Sequence, residues 1–312
     1  MTNKDHVAAI CVADLHLTLQ APACRAEEDW LAVQKGYLEQ LSKIQQECGS
    51  DFPEYGQVPI LVAGDVFDRW NPPHELINFA LRHLPNGILA VPGQHDLPNH
   101  RLEDMHKSGY GVLVQAGKIK DLSGLLPTQY AWKIMVYGCG WGQKIRPPQP
   151  SPRHRMLTVA LIHRYCWTPD TGYPGAPEEG ACSSFARELK GYDVAVFGDN
   201  HKGFQKTLKT GTVVFNCGTF LRRKQDERAT VPRVGLLYHS GKVKARPLST
   251  EKDRFHEAVK DIEEAPVDMQ AFLRQLKDLG DSFVDFRNAV KEHLRSGDLS
   301  PEVQEIIRDA IE

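Results

Sequence analysis

The stretch PILVAGDVFD, residues 59–68, runs through four apolar residues, Ile60 to Ala63, then meets a glycine and two carboxylates, Asp65 and Asp68. A short apolar run without polar alternation reads as a strand covered on both faces. The glycine lets the chain turn sharply where the run stops. The same grammar recurs in VAAICVADLH (7–16), GILAVPGQHD (87–96) and YDVAVFGDNH (192–201), while MLTVALIHR (156–164) ends on the single histidine His163. Five buried strands, each tipped with metal-capable groups, set the frame for the rest of the chain.

Between the early strands the periodicity changes. In residues 24–49, Trp30, Leu31, Tyr37, Leu38, Leu41 and Ile44 fall at helical spacing, and residues 72–84 form a second helical pattern that opens on proline. Strand–helix alternation predicts an α/β layer structure. From about 118 to 140 and from 205 to 248 the chain becomes strand-rich, with hairpin signals in LKTGTVVF and LLYHSGKVKA. Residues 1–250 therefore read as the main domain. Residues 251–312 read as a small helical appendage, with stripes at Met269, Phe272, Leu273 and Leu276, at Phe283, Val290 and Leu294, and at Val303, Ile306 and Ile307.

Bulk properties narrow the class. The chain has 312 residues, 41% hydrophobic and 25% charged, which is globular composition with length enough for a full core. No apolar stretch reaches the roughly 20 residues that span a bilayer, and the N-terminal run reads as a strand rather than a secretory signal. Seven cysteines without a C-x-x-C pair predict reduced thiols and a cytoplasmic setting, and argue against a cysteine zinc site. A net charge of −2 means that any site for a polyanion must be local.

The strand ends carry the chemistry. Asp14 and His16 stand two residues apart, which on a strand would aim both to one side. Asp65 and Asp199 each follow a glycine. Ligands of open α/β sheets gather at the carboxyl ends of strands, where all these residues lie. Taken singly, each is an ordinary strand-end or turn residue; five in order are not. If they converge, each pair of carboxylates costs about 4 kcal/mol at 4 Å and an effective dielectric of ~20. No lysine or arginine within the motifs offsets that, whereas two divalent cations would. Carboxylate, imidazole and amide oxygen together suit manganese better than calcium. A pair of such ions about 3.5–4 Å apart is a device for hydrolysing phosphate esters.

The ordered set DLH (14–16), GDVFD (64–68), GQHD (93–96), His163 and GDNH (198–201) resembles the calcineurin-like metallophosphoesterases, over about residues 7–248. Within them, the layout is most similar to SbcD-type DNA repair nuclease subunits, in a phage-type branch. That resemblance implies a two-sheet β-sandwich flanked by helices, and a host-cytoplasmic setting if the protein is phage-encoded. It implies one metal at Asp14, His16 and His201, a second at Gln94, His163 and Asp199, and Asp65 bridging the two. His95 would be the non-ligand histidine that protonates the leaving oxygen, oriented by Asp96, with Asp68 structural. Two positions depart from the family pattern: Gln94 stands for its asparagine and Asp199 for a histidine. Both fall on the second metal. They predict a harder site that takes magnesium or manganese over softer ions; a weak or empty second site is the alternative.

Residues 202–225 hold six Lys or Arg and no Asp or Glu. Arg222, Arg223 and Lys224 are the candidate contacts for a phosphate backbone, with counterion release as the source of affinity. The resulting expectation is a manganese-dependent DNA nuclease, acting in repair or recombination with an SbcC-like ATPase and as a homodimer by resemblance. A phosphoesterase of small molecules, nucleotides or phosphoproteins is the alternative. A catalytically dead relative used as a binding module is a third reading, against which the nearly complete ligand set stands.

Overall fold

A computed structural model describes residues 5–50, 56–124, 127–130, 133–149 and 156–257. The first half alternates strand and helix: β1 (Val7–Val12), α1 (Trp30–Gly49), β2 (Ile60–Ala63), α2 (His74–His83), β3 (Ile88–Val91), α3 (Gly109–Gln115) and β4 (Ile119–Asp121). Then come β5 (Thr128–Tyr130), β6 (Ile134–Cys139), β7 (Leu157–His163), β8 (Val194–Gly198), β9 (Phe204–Thr207) and β10 (Val213–Asn216). The hairpin of β11 (Arg233–Tyr238) and β12 (Val243–Pro247) closes the fold.

These strands make two six-stranded sheets, in the orders β12-β11-β1-β2-β3-β4 and β5-β6-β7-β8-β10-β9. The centre of each is parallel: β1 to β4 in the first, and β6, β7, β8 and β10 in the second. Alternate side chains of each strand enter different layers. Ile10, Val12, Ile60, Val62 and Ile88 face the helices, whereas Cys11, Leu61, Ala63, Leu89 and Val91 face the second sheet. From that sheet, Val159, Leu161, Val194 and Val196 meet them, while Ile162, Ala195 and Phe197 point to an outer layer with Phe185, Leu189 and Tyr192. Both faces of each central strand are covered, which is why the strands read as unbroken apolar runs.

The helices form where the sequence places their starts. Asp29 caps α1, its carboxylate accepting the Ala32 N–H at 2.9 Å, and Trp30, Tyr37, Leu38, Leu41 and Ile44 are buried along it. Pro73 precedes α2 in extended conformation, so the proline flanks the helix and does not enter its first turn. The outer face of the second sheet is covered by irregular chain with 3₁₀ turns at Glu178–Gly180 and Cys182–Ala186.

The compact unit ends at His256. Beyond β12, Asp253 accepts from the Tyr37 hydroxyl at 2.8 Å and from Arg222 at 2.7 Å, and the His256 N–H donates to the Cys24 carbonyl at 3.0 Å. Residues 251–256 thus belong to this unit rather than to an appendage; the helical pattern expected further on, in 258–312, lies outside the described residues. Among the described residues no helix is long and apolar enough to cross a membrane.

Candidate metal centre

Strand register brings the site together. Val12 pairs with Val62, Ala63 with Val91, and His163 with Gly198, so the carboxyl ends of five parallel strands lie level at one edge of the sandwich. At three of these ends, after β1, β2 and β8, the chain kinks into the left-handed region: Asp14 has φ 54°, His16 43°, Asp65 52° and Asp199 76°. Non-glycine residues rarely adopt that region, and where they do the surrounding structure enforces it. Asp14 and His16 were expected side by side on a strand; β1 stops at Val12, and two successive kinks aim them instead. Two glycines make room. Gly64 has φ +84°, and a Cβ there would sit 2.0 Å from His163 Nδ1. A Cβ on Gly93 would sit 2.0 Å from Asp65 Oδ1.

Ligand atoms of Asp14, His16 and His201 lie within 4.8 Å of one another, as do those of Asp14, Asp65 and His163, and those of His16, Asp65 and His95. Three of the four imidazoles are anchored through Nδ1, and His16 Nδ1 has no hydrogen-bond partner. His163 Nδ1 donates to the Ala63 carbonyl at 2.6 Å, and His95 Nδ1 to the Asp68 carbonyl at 2.8 Å. His201 Nδ1 lies 3.2 Å from Glu227 Oε1, and His16 Nδ1 3.5 Å from Asp68 Oδ1. The Nε2 atoms of three of them then converge: His16 and His201 at 3.2 Å from each other, and Asp65 Oδ2 at 3.7 Å from His16 and 3.4 Å from His163. The His95 backbone N–H holds the other Asp65 oxygen at 3.0 Å, which leaves Oδ2 between the two halves of the site.

The donor chemistry calls for a proton or a metal ion between His163 and Gln94. Since His163 Nδ1 gives its proton to a carbonyl, Nε2 offers a lone pair, yet it faces Gln94 Oε1 at 2.7 Å. The Gln94 amide cannot turn to help, because its NH₂ donates to Asp199 Oδ1 at 2.8 Å. Two acceptors in contact need a proton or a metal ion between them. The charges agree. Burial alone would lower His163, but Asp65, with Asp14 and Asp199 adding to it, raises it to about 10, so without metal it holds a second proton. Asp65 is held well below the carboxylate range by His163 despite its burial. Burial raises Asp14 to about 7 and lowers His16 to about 4. Asp14, His16 and His201 could hold one ion, and Asp65 with His163, Gln94 and Asp199 a second. The Asp199 carboxylate reaches that second half by its bond to Gln94, while its backbone N–H donates to Asp14 at 3.1 Å.

Four residues, Asp96, Asp68, Arg222 and Arg223, sit differently from what their expected roles require. Asp96 does not orient His95: it is buried and accepts the N–H groups of Gly93, Phe67 and Val66 at 3.0, 3.1 and 3.2 Å, tying two ligand loops together. Burial and the neighbouring Asp65 raise its carboxyl to about 7, against those three donors. Orientation of His95 falls to Asp68, which also pairs with Arg223; its carboxyl, with burial outweighed by His16 and Arg223, is held down at about 2. Arg222 is turned inward, its guanidinium spent on Asp253, the Arg228 carbonyl and Thr250. Arg223 lines a second cavity of about 460 Å³ together with Asp68, and Lys224 alone of the three lines the cavity at the metal centre. That cavity, about 370 Å³, is lined by His16, Asp65, Gln94, His95, Asp199 and His201, and by residues of two further walls.

Glu227 escaped sequence reading. Besides meeting His201, it accepts from the Arg223 and Lys224 backbone N–H groups at 2.6 and 3.0 Å. Nothing in its spacing sets it apart from other surface acids. Asn200, inside the GDNH motif, is buried and donates to the Cys166 and Thr171 carbonyls at 2.8 and 3.3 Å.

The sequence profile of the calcineurin-like phosphoesterase family matches residues 9–203. No curated protein matches. Among solved structures, TT1561 of Thermus thermophilus is 13% identical, with TM-score 0.43 over 77% of this chain and 99% of that one. The 5'-nucleotidase of Candida albicans is 11% identical, with TM-score 0.41 over 73% and 47%. A metallophosphoesterase from Sphaerobacter thermophilus is 14% identical, with TM-score 0.34 over 87% and 94%. Likeness at this level says nothing about substrate.

Proposed function

Because the chain belongs to the calcineurin-like phosphoesterase family, whose members use divalent metals to hydrolyse phosphoesters, we propose that it is a manganese-dependent DNA nuclease with two metal positions. The observation that carries this reading is the overlap of two ligand clusters, Asp14–His16–His201 and Asp14–Asp65–His163, beside a cavity that His16, Asp65, His201, Lys202 and Lys224 line. Bound there, two divalent cations would supply Lewis-acid activation of water and of phosphoryl oxygens. The rest is the work of this chain's own groups. Asp14, Asp65 and Asp199 would provide the negative charge that retains the ions. His95, exposed at the cavity and held through Nδ1 by the Asp68 carbonyl, is placed to give a proton from Nε2 to a departing oxygen. The second position offers mostly oxygen donors, which supports manganese or magnesium over softer ions.

An SbcC-like ATPase and a second copy of this chain are the partners that go with the nuclease reading. Such docking would involve residues 251–312, most of which lie outside the described residues. The test uses metal-stripped protein, linear duplex DNA labelled at each end, and added manganese or magnesium, with His95→Ala as control. Manganese-dependent cleavage lost in the variant supports the reading. Hydrolysis of a small phosphodiester without cleavage of DNA overturns the nuclease and leaves a small-molecule or nucleotide phosphoesterase.

A further inference from the structure

One wall of the metal cavity has no part in holding ions. Tyr165 and Tyr173 line it, with ring centroids 5.3 Å apart and planes tilted by 46°. Tyr165 is half-buried, whereas Tyr173 is 52% exposed, one of few large apolar side chains so open among the described residues.

The loop that bears them is built rather than slack. Trp167 sits at its centre: its indole N–H donates to the Pro177 carbonyl at 2.9 Å, and its backbone bridges to Gly180 and Cys182. Its ring lies against Gly172, where a Cβ would come within 3.0 Å. Thr168 and Thr171 close a turn at 2.8 Å, and buried Asn200 clamps the Cys166 and Thr171 carbonyls. Asn200 stands between Asp199 and His201, so the tyrosine loop is fixed directly to the metal-ligand turn. On another wall, Lys202 and Lys224 are exposed, and neither pairs with a carboxylate among the described residues.

We infer that Tyr173, backed by Tyr165, is a stacking wall for a nucleobase, and that Lys202 and Lys224 receive the flanking phosphate. An exposed aromatic ring held rigidly beside a phosphoester site offers a π-face at little entropic cost, which every base can use. The cavity of about 370 Å³ lies at the small end of the roughly 300–1,000 Å³ range of ligand pockets. That size suits one nucleoside unit unstacked from its neighbours. The substrate class is therefore a nucleoside phosphodiester, taken as a chain end or flipped unit rather than as intact duplex. This inference rests on the phosphodiesterase reading above and assigns it a recognition element.

The experiment compares the full-length protein with Tyr173→Ala, Tyr173→Phe and Tyr173→Trp on two esters in manganese. One is thymidine 5'-(p-nitrophenyl phosphate), the other methyl p-nitrophenyl phosphate; they share a leaving group and differ in the nucleoside, the plain diester having no ring left to stack once the leaving group departs. The ratio of kcat/KM for the thymidine ester over the plain diester should fall about tenfold in the alanine variant and hold in the aromatic ones. A second arm measures anisotropy of a labelled oligothymidylate in EDTA, where no hydrolysis occurs, with about tenfold weaker binding expected for Tyr173→Ala. An unchanged ratio in Tyr173→Ala, or an equal fall in Tyr173→Phe, overturns the stacking wall. If the wild type hydrolyses neither ester nor DNA, the phosphodiesterase reading fails and the anisotropy arm decides alone. Binding weakened only in Tyr173→Ala upholds the wall; absent or unchanged binding refutes it.

Discussion

Replacing Glu227 with glutamine changes almost no volume and should still cripple one half of the metal centre. In the protein as it stands, Glu227 Oε1 faces His201 Nδ1 at 3.2 Å while Oε2 takes two backbone N–H groups at 2.6 and 3.0 Å. A carboxylate can only accept, so it fixes the His201 proton on Nδ1 and leaves Nε2 free for an ion. In Glu227→Gln the single amide oxygen stays with the two backbone donors, and the NH₂ turns toward His201. That contact favours the opposite tautomer, with the proton on Nε2, which cannot ligate. Binding an ion then requires two N–H donors to face each other and forfeits one charge-assisted hydrogen bond, about 1.5–3 kcal/mol. At about 1.4 kcal/mol per decade this is roughly 10- to 100-fold in affinity. Titration of metal-stripped protein with manganese, followed by the paramagnetic signal of the free ion, should show two steps, of which only the Asp14–His16–His201 step moves. Melting of the metal-free proteins controls for folding. Identical isotherms, or an equal shift of both steps, would refute the tautomer argument.

His95→Asn should lower kcat by about 10²–10⁴ with both manganese steps unchanged, since a proton donor is lost and no ligand; loss of an ion on titration would make His95 a ligand instead. Gly64→Ala combines φ +84° with a Cβ 2.0 Å from His163 Nδ1, and should cost about 2–5 kcal/mol in urea denaturation of metal-free protein; a loss under about 1 kcal/mol would contradict the packing described. His163 sets two pH dependences. Its folded-state value, about 10, lies above the unfolded value of about 6.5. Its contribution to metal-free stability is therefore complete below about pH 6.5 and lost as pH rises through about 10, so the melting temperature should fall across that window. An ion must displace the same proton, so apparent manganese affinity should rise about tenfold per pH unit from about 7 upward. Below about 7 the slope steepens, because Asp14, raised to about 7 by burial, must also ionise. A flat profile would show that His163 carries no displaceable proton.

Most of the ligand set was legible because a buried parallel strand announces both its length and its end. Ile60 to Ala63 are apolar on both faces, so the first polar group after them must lie at the sheet edge. What failed to show was direction. Asp96 adjoins His95 in sequence, yet the two share a 3₁₀ turn, Gln94–Asp96, where neighbours diverge by about 120° and cannot face each other. Arg222, Arg223 and Lys224 read as one basic run. The extended backbone at Lys224 and the inward pull of Asp253 on Arg222 separate them into a buried, a half-buried and an exposed side chain. Glu227 is harder still, since its role depends on a turn that folds 26 residues of chain back onto His201.

The two departures from the family pattern are one feature. A glutamine reaches about one methylene further than an asparagine, and its amide brings an NH₂ that must be satisfied once buried beside His163. Asp199 Oδ1 satisfies it at 2.8 Å and thereby points Oε1 at the ligand side. A histidine at 199 that gave its free nitrogen to an ion would have no lone pair left for that NH₂. Asparagine at 94 would draw the oxygen back from His163 and leave Asp199 without its donor. Each substitution alone opens an unpaired polar group in a half-buried pair; together they close one. The pair offers an oxygen where the family pattern has a nitrogen donor, so an ion bound at the second position would meet a harder donor set than one at the first.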